Sequence, residues 1–409
     1  MKFSSLRIEG LALNGEGFAH AGRRKVFVAG TLAGELVSAD AVELKSKFSR
    51  AKLQEILEAS ELRVAPKCQH VPACGGCRWQ HIQYDEQLAL KQAQLEKQLT
   101  QFAKLATLPA IEVLAGDAFA YRNRARMLVE WSDTGAHLAM RTAASRSPVR
   151  IRQCDILHPT LQAEFNEIEA WCTDNGAEQI GKEIRLATDG QGISIAISGR
   201  AKQLSQWPHG PVVNLNGDIL NNAPPLSYQS ADAQLHFTAA DFTQANLALN
   251  QRVIDWLLRA LPQNNTVIDL FAGLGNLTLP LASISQQITG YEVVESMVAR
   301  AAQNASLNAL TQCQFKAANL YDQCPSLACD VLVADPPRAG LGNAVIQQIA
   351  AYQPSTVAYM SCSIESLVRE LPRLCAMGYH IERLALIDFF AQSPEIETIT
   401  ILRSQPTTA

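Results

Sequence analysis

From Asp241 onward the chain alternates apolar strands, glycine turns and helices, and this alternation constrains the fold more than any other feature. TVIDLFAGLGNLTLPLA (266–282) reads as strand, glycine turn and helix, and ITGYEVVESMVARAAQNASLN (288–308) repeats the unit. FKAANLYD, VLVADPPRAGL and TVAYMSCS continue it, and IERLALIDFFAQSPEIETITIL ends in an alternating strand. Strands alternating with helices predict a parallel, doubly wound sheet. In such sheets the carboxyl ends of the strands line the ligand crevice. The strand VLVA delivers Asp335 and Arg338 to that rim. The strand TVAYMS delivers Cys362, 27 residues after Asp335, the length of one helix and one strand. An acid, a cation and a thiol thus converge. Cys362 is read as a nucleophile; the alternative is a buried structural cysteine, the commoner fate of a lone Cys.

The turn DLFAGLGN (269–276) carries Gly273 and Gly275, which let backbone approach a ligand closely. A dinucleotide fingerprint needs a third glycine opening the helix, and Asn276 and Leu277 stand there. Glu292 ends the next strand, 23 residues after Asp269, where a carboxylate accepts from ribose hydroxyls. The combination suits an adenosyl ligand without a pyrophosphate, and S-adenosylmethionine fits better than NAD. A thiol beside a methyl donor points to methylation of a pyrimidine carbon. The C5 atom is a poor nucleophile until a thiolate adds at C6, and a base must afterwards remove the C5 proton. Arg338 is the cation expected to favour the thiolate. Glu395 and Glu397 are the candidate bases, although Glu397 alternates with Ile396 and Thr398 and also reads as a solvent-facing strand residue.

Upstream, residues 1–60 read as short alternating strands with Gly-rich breaks, the pattern of a small β-barrel. Basic residues at its turns (Arg23, Arg24, Lys25) suit an RNA-binding module. In PKCQHVPACGGCRWQHI, Cys68, Cys74 and Cys77 fall in C-x5-C-x2-C spacing. Soft thiolates choose zinc or iron–sulfur. Cys154 is the candidate fourth ligand, with His70, His81 and His158 behind it. Three near cysteines plus one remote favour iron–sulfur over zinc. Residues 84–104 read as an amphipathic helix, with Leu88, Leu95, Leu99 and Phe102 at helical spacing. Residues 155–240 mix a helix near 159–174 with strands and carry no catalytic signal. The expected division is 1–60, 61–240 and 241–409, the middle part an α+β domain bearing the cysteines and its helix 84–104 packing on the last part.

Net charge is −4, which argues against indiscriminate nucleic-acid binding. Residues 1–67 nevertheless carry 11 Lys/Arg against 8 Asp/Glu, and residues 120–152 carry seven Arg against Glu130 and Asp133. Two basic regions on an acidic chain suit a polyanion held at chosen places, with the arginines of 120–152 expected to alternate outward. The start MKFSSLRIEGLALNGEG lacks the apolar run of a signal peptide, and no run reaches membrane-spanning length. The expectation is a cytoplasmic protein with reduced cysteines, no membrane partner and a monomeric state.

Taken together these segments resemble the bacterial RNA uracil-C5 methyltransferases, specifically the 23S rRNA type that begins with a TRAM domain, over nearly the whole chain. The resemblance implies a Rossmann-like α/β methyltransferase domain, a TRAM-like β-barrel at 1–60 and a central α+β domain. Cys68, Cys74, Cys77 and Cys154 match the family's four [4Fe–4S] ligands. FTQAN implies Gln244 in S-adenosylmethionine binding; DLFAGLGN implies Phe271 and Asn276; YEVVE, ANLYD and DPPRAG imply Glu292, Asn319 and Asp335. The cysteine of MSCS implies Cys362 as nucleophile, and EIET implies Glu397 as base. The implied activity is formation of 5-methyluridine in RNA, with 23S rRNA favoured and tRNA the alternative. A base in folded RNA must come from a loop or be flipped out. Three departures stand out: Ser363 and Ile364 replace the usual Asn–Pro, Glu395 replaces a His two residues before the base, and Ala272 stands where Cys is frequent. Two carboxylates as near as Glu395 and Glu397 are expected to raise each other's pKa. Amino-group methyltransferases, which need no Cys, cytosine-C5 enzymes and a non-catalytic iron–sulfur RNA-binding protein are the rival readings.

Overall fold

The computed structural model describes residues 1–143 and 147–404. The chain divides into two compact units, each assembled from separate stretches. The first takes residues 1–94, 139–155 and 390–395; the second takes 95–138, 156–389 and 396 onward. Among the described residues no helix is long and apolar enough to cross a membrane.

The first unit begins with six strands: β1 (Lys2–Arg7), β2 (Gly10–Leu11), β3 (Gly17–Ala21), β4 (Arg24–Val28), β5 (Leu36–Leu44) and β6 (Phe48–Glu58). They form one barrel-like sheet in the order β1-β5-β6-β4-β3-β2. Alternation puts Leu6, Ala19, Val26, Val28, Val37 and Ala39 into a single core, as a period of two requires of a half-buried strand. The buried Glu35 closes this element against the next: its carboxylate accepts from Arg63 Nε at 2.6 Å and from Leu32 N at 2.8 Å. Helix α1 (Tyr84–Lys97) continues through Gln98–Phe102 in wider turns, and the division between units falls inside it. Its last part, Leu95 and Leu99 with Ala103, is fully buried in the core of the second unit.

The second unit carries strand β7 (Ile111–Leu114), then β8 (Arg124–Ser132), with β9 (Gly135–Arg141) running on into the first unit, where it pairs with β10 (Pro148–Arg150). The expected helix near 159–174 is two helices, α2 (Pro159–Ala163) and α3 (Phe165–Ile180). Strands β11 (Glu183–Thr188), β12 (Ile193–Ile197) and β13 (Val212–Asn214) extend the sheet from β8, and β14 (Leu226–Ser230) and β15 (Ala233–Phe237) form a separate hairpin.

The strand–helix alternation then unfolds as predicted: α4 (Leu247–Ala260), β16 (Asn265–Leu270), α5 (Thr278–Leu281), β17 (Ser285–Glu292), α6 (Glu295–Leu307), β18 (Cys313–Ala317), β19 (Val331–Ala334), α7 (Gly342–Tyr352), β20 (Thr356–Ser361), α8 (Ile364–Ala376), β21 (Tyr379–Ile387) and β22 (Glu397–Ser404). The sheet has eight strands in the order β18-β17-β16-β19-β20-β22-β21-β7. Every residue of β19 and β20 is buried, as for strands covered on both faces. The sheet is not wholly parallel. β22 runs antiparallel to both β20 and β21, so the last strand enters from the opposite direction between two neighbours. The edge strand β7 comes from residues far upstream and pairs parallel with β21. Glu112 of β7 anchors it, accepting twice from the Arg383 guanidinium at 2.8 and 3.0 Å through one oxygen and from Trp256 Nε1 at 2.9 Å through the other.

The loop 335–341 between β19 and α7 is fixed from α8. Ser363 caps that helix, its hydroxyl accepting from Ser366 N, so the Asn–Pro departure leaves a preferred capping residue in place. Ser366 Oγ donates to Arg338 O at 2.7 Å, and Arg369 donates to Ala339 O at 2.7 Å. The buried Glu370 carboxylate accepts from Leu341 N at 3.0 Å, Tyr359 Oη at 2.6 Å and Arg369 at 2.8 Å. Gly340, at φ +83°, packs against it so closely that an added Cβ would lie 2.4 Å from Glu370 Oε1. Removing the carboxylate strands buried donors, which costs about 3 kcal/mol or more. Glu370→Ala is therefore expected to lower the unfolding temperature by several degrees, with Glu370→Gln milder; calorimetry measures this.

Candidate active site

Asp335 directly follows β19 and Cys362 directly follows β20, at the carboxyl rim that the alternation predicts. A cavity of about 470 Å³ opens there. Gln244, Phe271, Asn276, Glu292, Asn319, Asp335, Cys362 and Glu397 all line it. Eight residues singled out from separate motifs therefore share one space. Glu397 reaches it as the first residue of β22, so it is not simply a solvent-facing strand residue.

Local structure explains how each is held. Asn246, the last residue of FTQAN, caps α4 through Leu249 N at 2.9 Å, which fixes Gln244 two residues earlier. Gln244 Nε2 donates to Asp335 Oδ2 at 3.2 Å. Glu292 accepts from Gly273 N at 3.1 Å and from Val293 N and Val294 N at 2.8 and 2.9 Å, binding the glycine turn to the next strand end. Phe271 sits at φ +63°, a strained value for an aromatic residue, with its ring 5.7 Å from that of Tyr321. The Asn276 side chain is turned to protein: its oxygen accepts from Tyr228 Oη and Asn250 Nδ2, and its nitrogen donates to Asn250. Asn319 donates to Asp322 at 2.6 Å.

The cavity is acidic. Burial lifts Asp269 to about 7, reinforced by Asp335 and Glu292, and lifts Asp335 to about 6. Burial also pushes the Cys362 thiol up to about 11, with Glu397 and Asp335 adding to it and Arg338 working the other way. A cationic ligand relieves this crowding of negative charge, and a sulfonium is such a ligand.

Residues outside the sequence-based set also matter. Phe242, 61% exposed, lines the cavity, and the Arg124 guanidinium lies 5.2 Å from its ring centre. Arg124 does not point outward as expected: it donates to Thr243 O at 2.9 Å, and burial lowers its pKa to about 10. Arg126 is paired with Glu183 at 2.6 Å. Arg146 lies outside the described residues. Phe242 stands in FTQAN and Tyr321 in ANLYD, where their motifs flag them; nothing local marks Arg124 as inward.

Cys68, Cys74, Cys77 and Cys154 all lie in the first unit, and all ten cysteines are free of disulfides. The other three thiols of the set all act electrostatically on Cys77, whereas His158 belongs to the second unit and His81 is influenced by Arg63 and Glu35. Glu395 also falls in the first unit, where it pairs with Arg78 at 2.5 Å.

Comparison with known proteins places these observations. Residues 173–405 match the family model described as tRNA (Uracil-5-)-methyltransferase. The 23S rRNA (uracil(1939)-C(5))-methyltransferase RlmD of Vibrio parahaemolyticus serotype O3:K6 is 31% identical over 98% of this chain and 96% of its own length. Its counterpart from Shewanella piezotolerans is 32% identical over 97% of this chain and 95% of its own. Among solved structures, the Pyrococcus abyssi tRNA (uracil-54, C5)-methyltransferase in complex with S-adenosyl-L-homocysteine shares the fold, with a TM-score of 0.79 at 19% identity, over 98% of this chain and all of that one. A thiol, a carboxylate and an adenosyl-type turn around one cavity, in a chain that aligns with these enzymes from end to end, make it a member of the RNA uracil-C5 methyltransferase family.

Proposed function

We propose that the chain is a cytoplasmic, monomeric 23S rRNA (uracil-C5)-methyltransferase that forms 5-methyluridine through a covalent adduct between Cys362 and C6. The observation that carries this reading is the shared cavity of Cys362, Glu397 and the six residues Gln244, Phe271, Asn276, Glu292, Asn319 and Asp335. The full-length relatives named for 23S rRNA support that substrate. The family description and the archaeal neighbour, both named for tRNA, keep tRNA as a second reading.

S-adenosylmethionine, when bound, supplies a methyl group on a sulfonium. Glu292 and Asn319 are suited to its ribose, Phe271 to its adenine, and the acidic Asp335 with Gln244 to its cationic end. Asn276 serves this site as a brace, since its amide is engaged by Tyr228 and Asn250. The Cys362 thiol gives its proton to solvent and its sulfur bonds to C6 of uracil, and the C5–C6 π electrons move to C5 and O4. C5 takes the methyl group as the methyl–sulfur bond breaks with its electron pair on sulfur, so that neutral S-adenosylhomocysteine would leave. Glu397 then accepts the C5 proton, the C5–C6 double bond re-forms and the thiolate leaves C6.

We assign Cys68, Cys74, Cys77 and Cys154 to a [4Fe–4S] cluster. Four soft sulfurs form the donor set, and the Gln80 side chain, whose oxygen accepts from Cys68 N at 3.0 Å, favours the Cys77 thiolate. Among the described residues, the one trio of His, Cys, Asp or Glu with ligand atoms all within 4.8 Å is Glu164, Glu167 and His209.

Nucleoside mass spectrometry after incubation with S-adenosylmethionine and unmodified 23S rRNA or tRNA tests the substrate: 5-methyluridine is expected from 23S rRNA, and its appearance from tRNA alone transfers the assignment. Cys362→Ala is expected to abolish product and adduct together. Glu397→Gln is expected to abolish release while a methylated protein–RNA adduct accumulates on denaturing gels. Alkylation of Cys362, followed on its own peptide, is expected to be slow at pH 7 and to climb towards pH 11, since its thiol is protonated below that value; S-adenosylmethionine should move the profile to lower pH, and neutral S-adenosylhomocysteine should move it less. Anaerobically purified protein is expected to hold iron and labile sulfide in equal amounts, and Cys77→Ser to lose both; stoichiometric zinc would overturn the cluster assignment.

A further inference from the structure

The loop that carries Cys68, Cys74 and Cys77 is shaped largely by its backbone. Val71 N donates to Cys68 O at 3.3 Å and Cys74 N to His70 O at 2.8 Å. Gly75 N donates to Arg141 O at 3.1 Å, and a Cβ added to Gly75 would lie 3.0 Å from Ala143 Cα. His70 Nε2 accepts from Arg152 N at 3.4 Å, which ties the Cys68 turn to the segment leading to Cys154.

One side chain adds to this frame from within. Gln80, three residues after Cys77, is only 3% exposed. Its Oε1 accepts from Cys68 N at 3.0 Å. Its Nε2 is buried too, and among the described residues no nitrogen or oxygen accepts from it. A buried N–H without an acceptor is costly. The group it does act on is Cys77: burial pushes that thiol up to about 12, and the Gln80 amide works the other way by favouring the thiolate. Gln80 and all four cysteines belong to the first unit.

We infer that Gln80 is the positioning residue of the cysteine-bound cluster: its oxygen fixes the backbone of one ligand, Cys68, and its N–H donates to the sulfur of another, Cys77. The inference rests on the [4Fe–4S] assignment made above. The acceptor end of the amide holds the Cys68 turn in place. The donor end draws charge from a ligand sulfur. Hydrogen bonds to the sulfurs help set the potential of such clusters, and groups that orient the ligands govern how firmly the metal is held. The reduced cluster carries one more negative charge than the oxidised one, so a donor stabilises it more. The bond from Gln80 therefore raises the reduction potential.

The test uses the full chain, purified anaerobically, and reads the cluster itself. Gln80→Met keeps the volume and removes both ends of the amide. Its midpoint potential, followed by electron paramagnetic resonance during titration with a low-potential reductant, is expected to fall. Its iron is expected to pass to an excess of chelator roughly ten- to a hundred-fold faster than in the parent. Gln80→Glu keeps an oxygen for Cys68 N, so its iron release should lie nearer the parent. With the donor lost and a negative charge added, its potential should fall furthest. Faster release from Gln80→Met at the parental potential overturns the inference, because a merely structural role acts on retention alone. Parental potential and retention in both variants overturn it as well, and leave the cluster standing. A parent that holds zinc and no labile sulfide removes the cluster assignment itself, and the inference with it.

Discussion

The second unit depends on one buried carboxylate. Glu370 collects a backbone amide from the loop after β19, a phenol from β20 and a guanidinium from its own helix. Three elements that meet at the rim are thereby set against one another by hydrogen bonds to a carboxylate that is itself buried. Asp335 begins the loop so held, and Cys362 begins the turn into the helix that holds it. The separation of acid and thiol is accordingly a property of the scaffold. A ligand need not create it, which is the condition for a preorganised site.

Charge supplies the second constraint. Burial makes ionisation of Asp269, Asp335 and Cys362 difficult, and nearby acids add to this for Asp269 and Cys362. A protonated thiol is a weak nucleophile. The sulfonium of the proposed donor carries the charge that the cavity lacks, and the demethylated product does not. The same electrostatics would thus favour both the methyl donor over its product and the thiolate over the thiol, in the presence of the donor alone.

Much of the second unit was legible because its signals are local. Apolar runs such as VLVA and TVAYMS have the length and composition of strands buried on both faces, and glycines mark the turns where backbone approaches ligand. Direction and partnership are not local. Nothing in EIETITIL states that its strand runs against its neighbours, and IEVL at 111–114 is too short to announce itself as an edge strand completed by Arg383 and Trp256. Arg124 sits in an alternating run between Arg122, which donates to the Arg124 carbonyl, and Arg126, which pairs with an acid, and only the carbonyl of Thr243 shows that this one turns in. The residues at 363 and 395 stood out in the sequence as departures from the family pattern. One preserves a helix cap and the other is engaged by Arg78, an arrangement that depends on residues more than 300 positions apart.

The position of β22 has a consequence for how the molecule is made. It lies between β20 and β21, both of which precede it in the chain. A growing polypeptide therefore displays the donor turn and the thiol before the strand that brings Glu397 has emerged, and the gap between β20 and β21 stays unfilled until then. The pairing of β22 with β21 is local, whereas its pairing with β20 reaches across α8 and β21 and forms later. The proposed proton acceptor would reach the cavity only after the proposed nucleophile, so that a chain that captured RNA before β22 had paired would lack the group that lets it go.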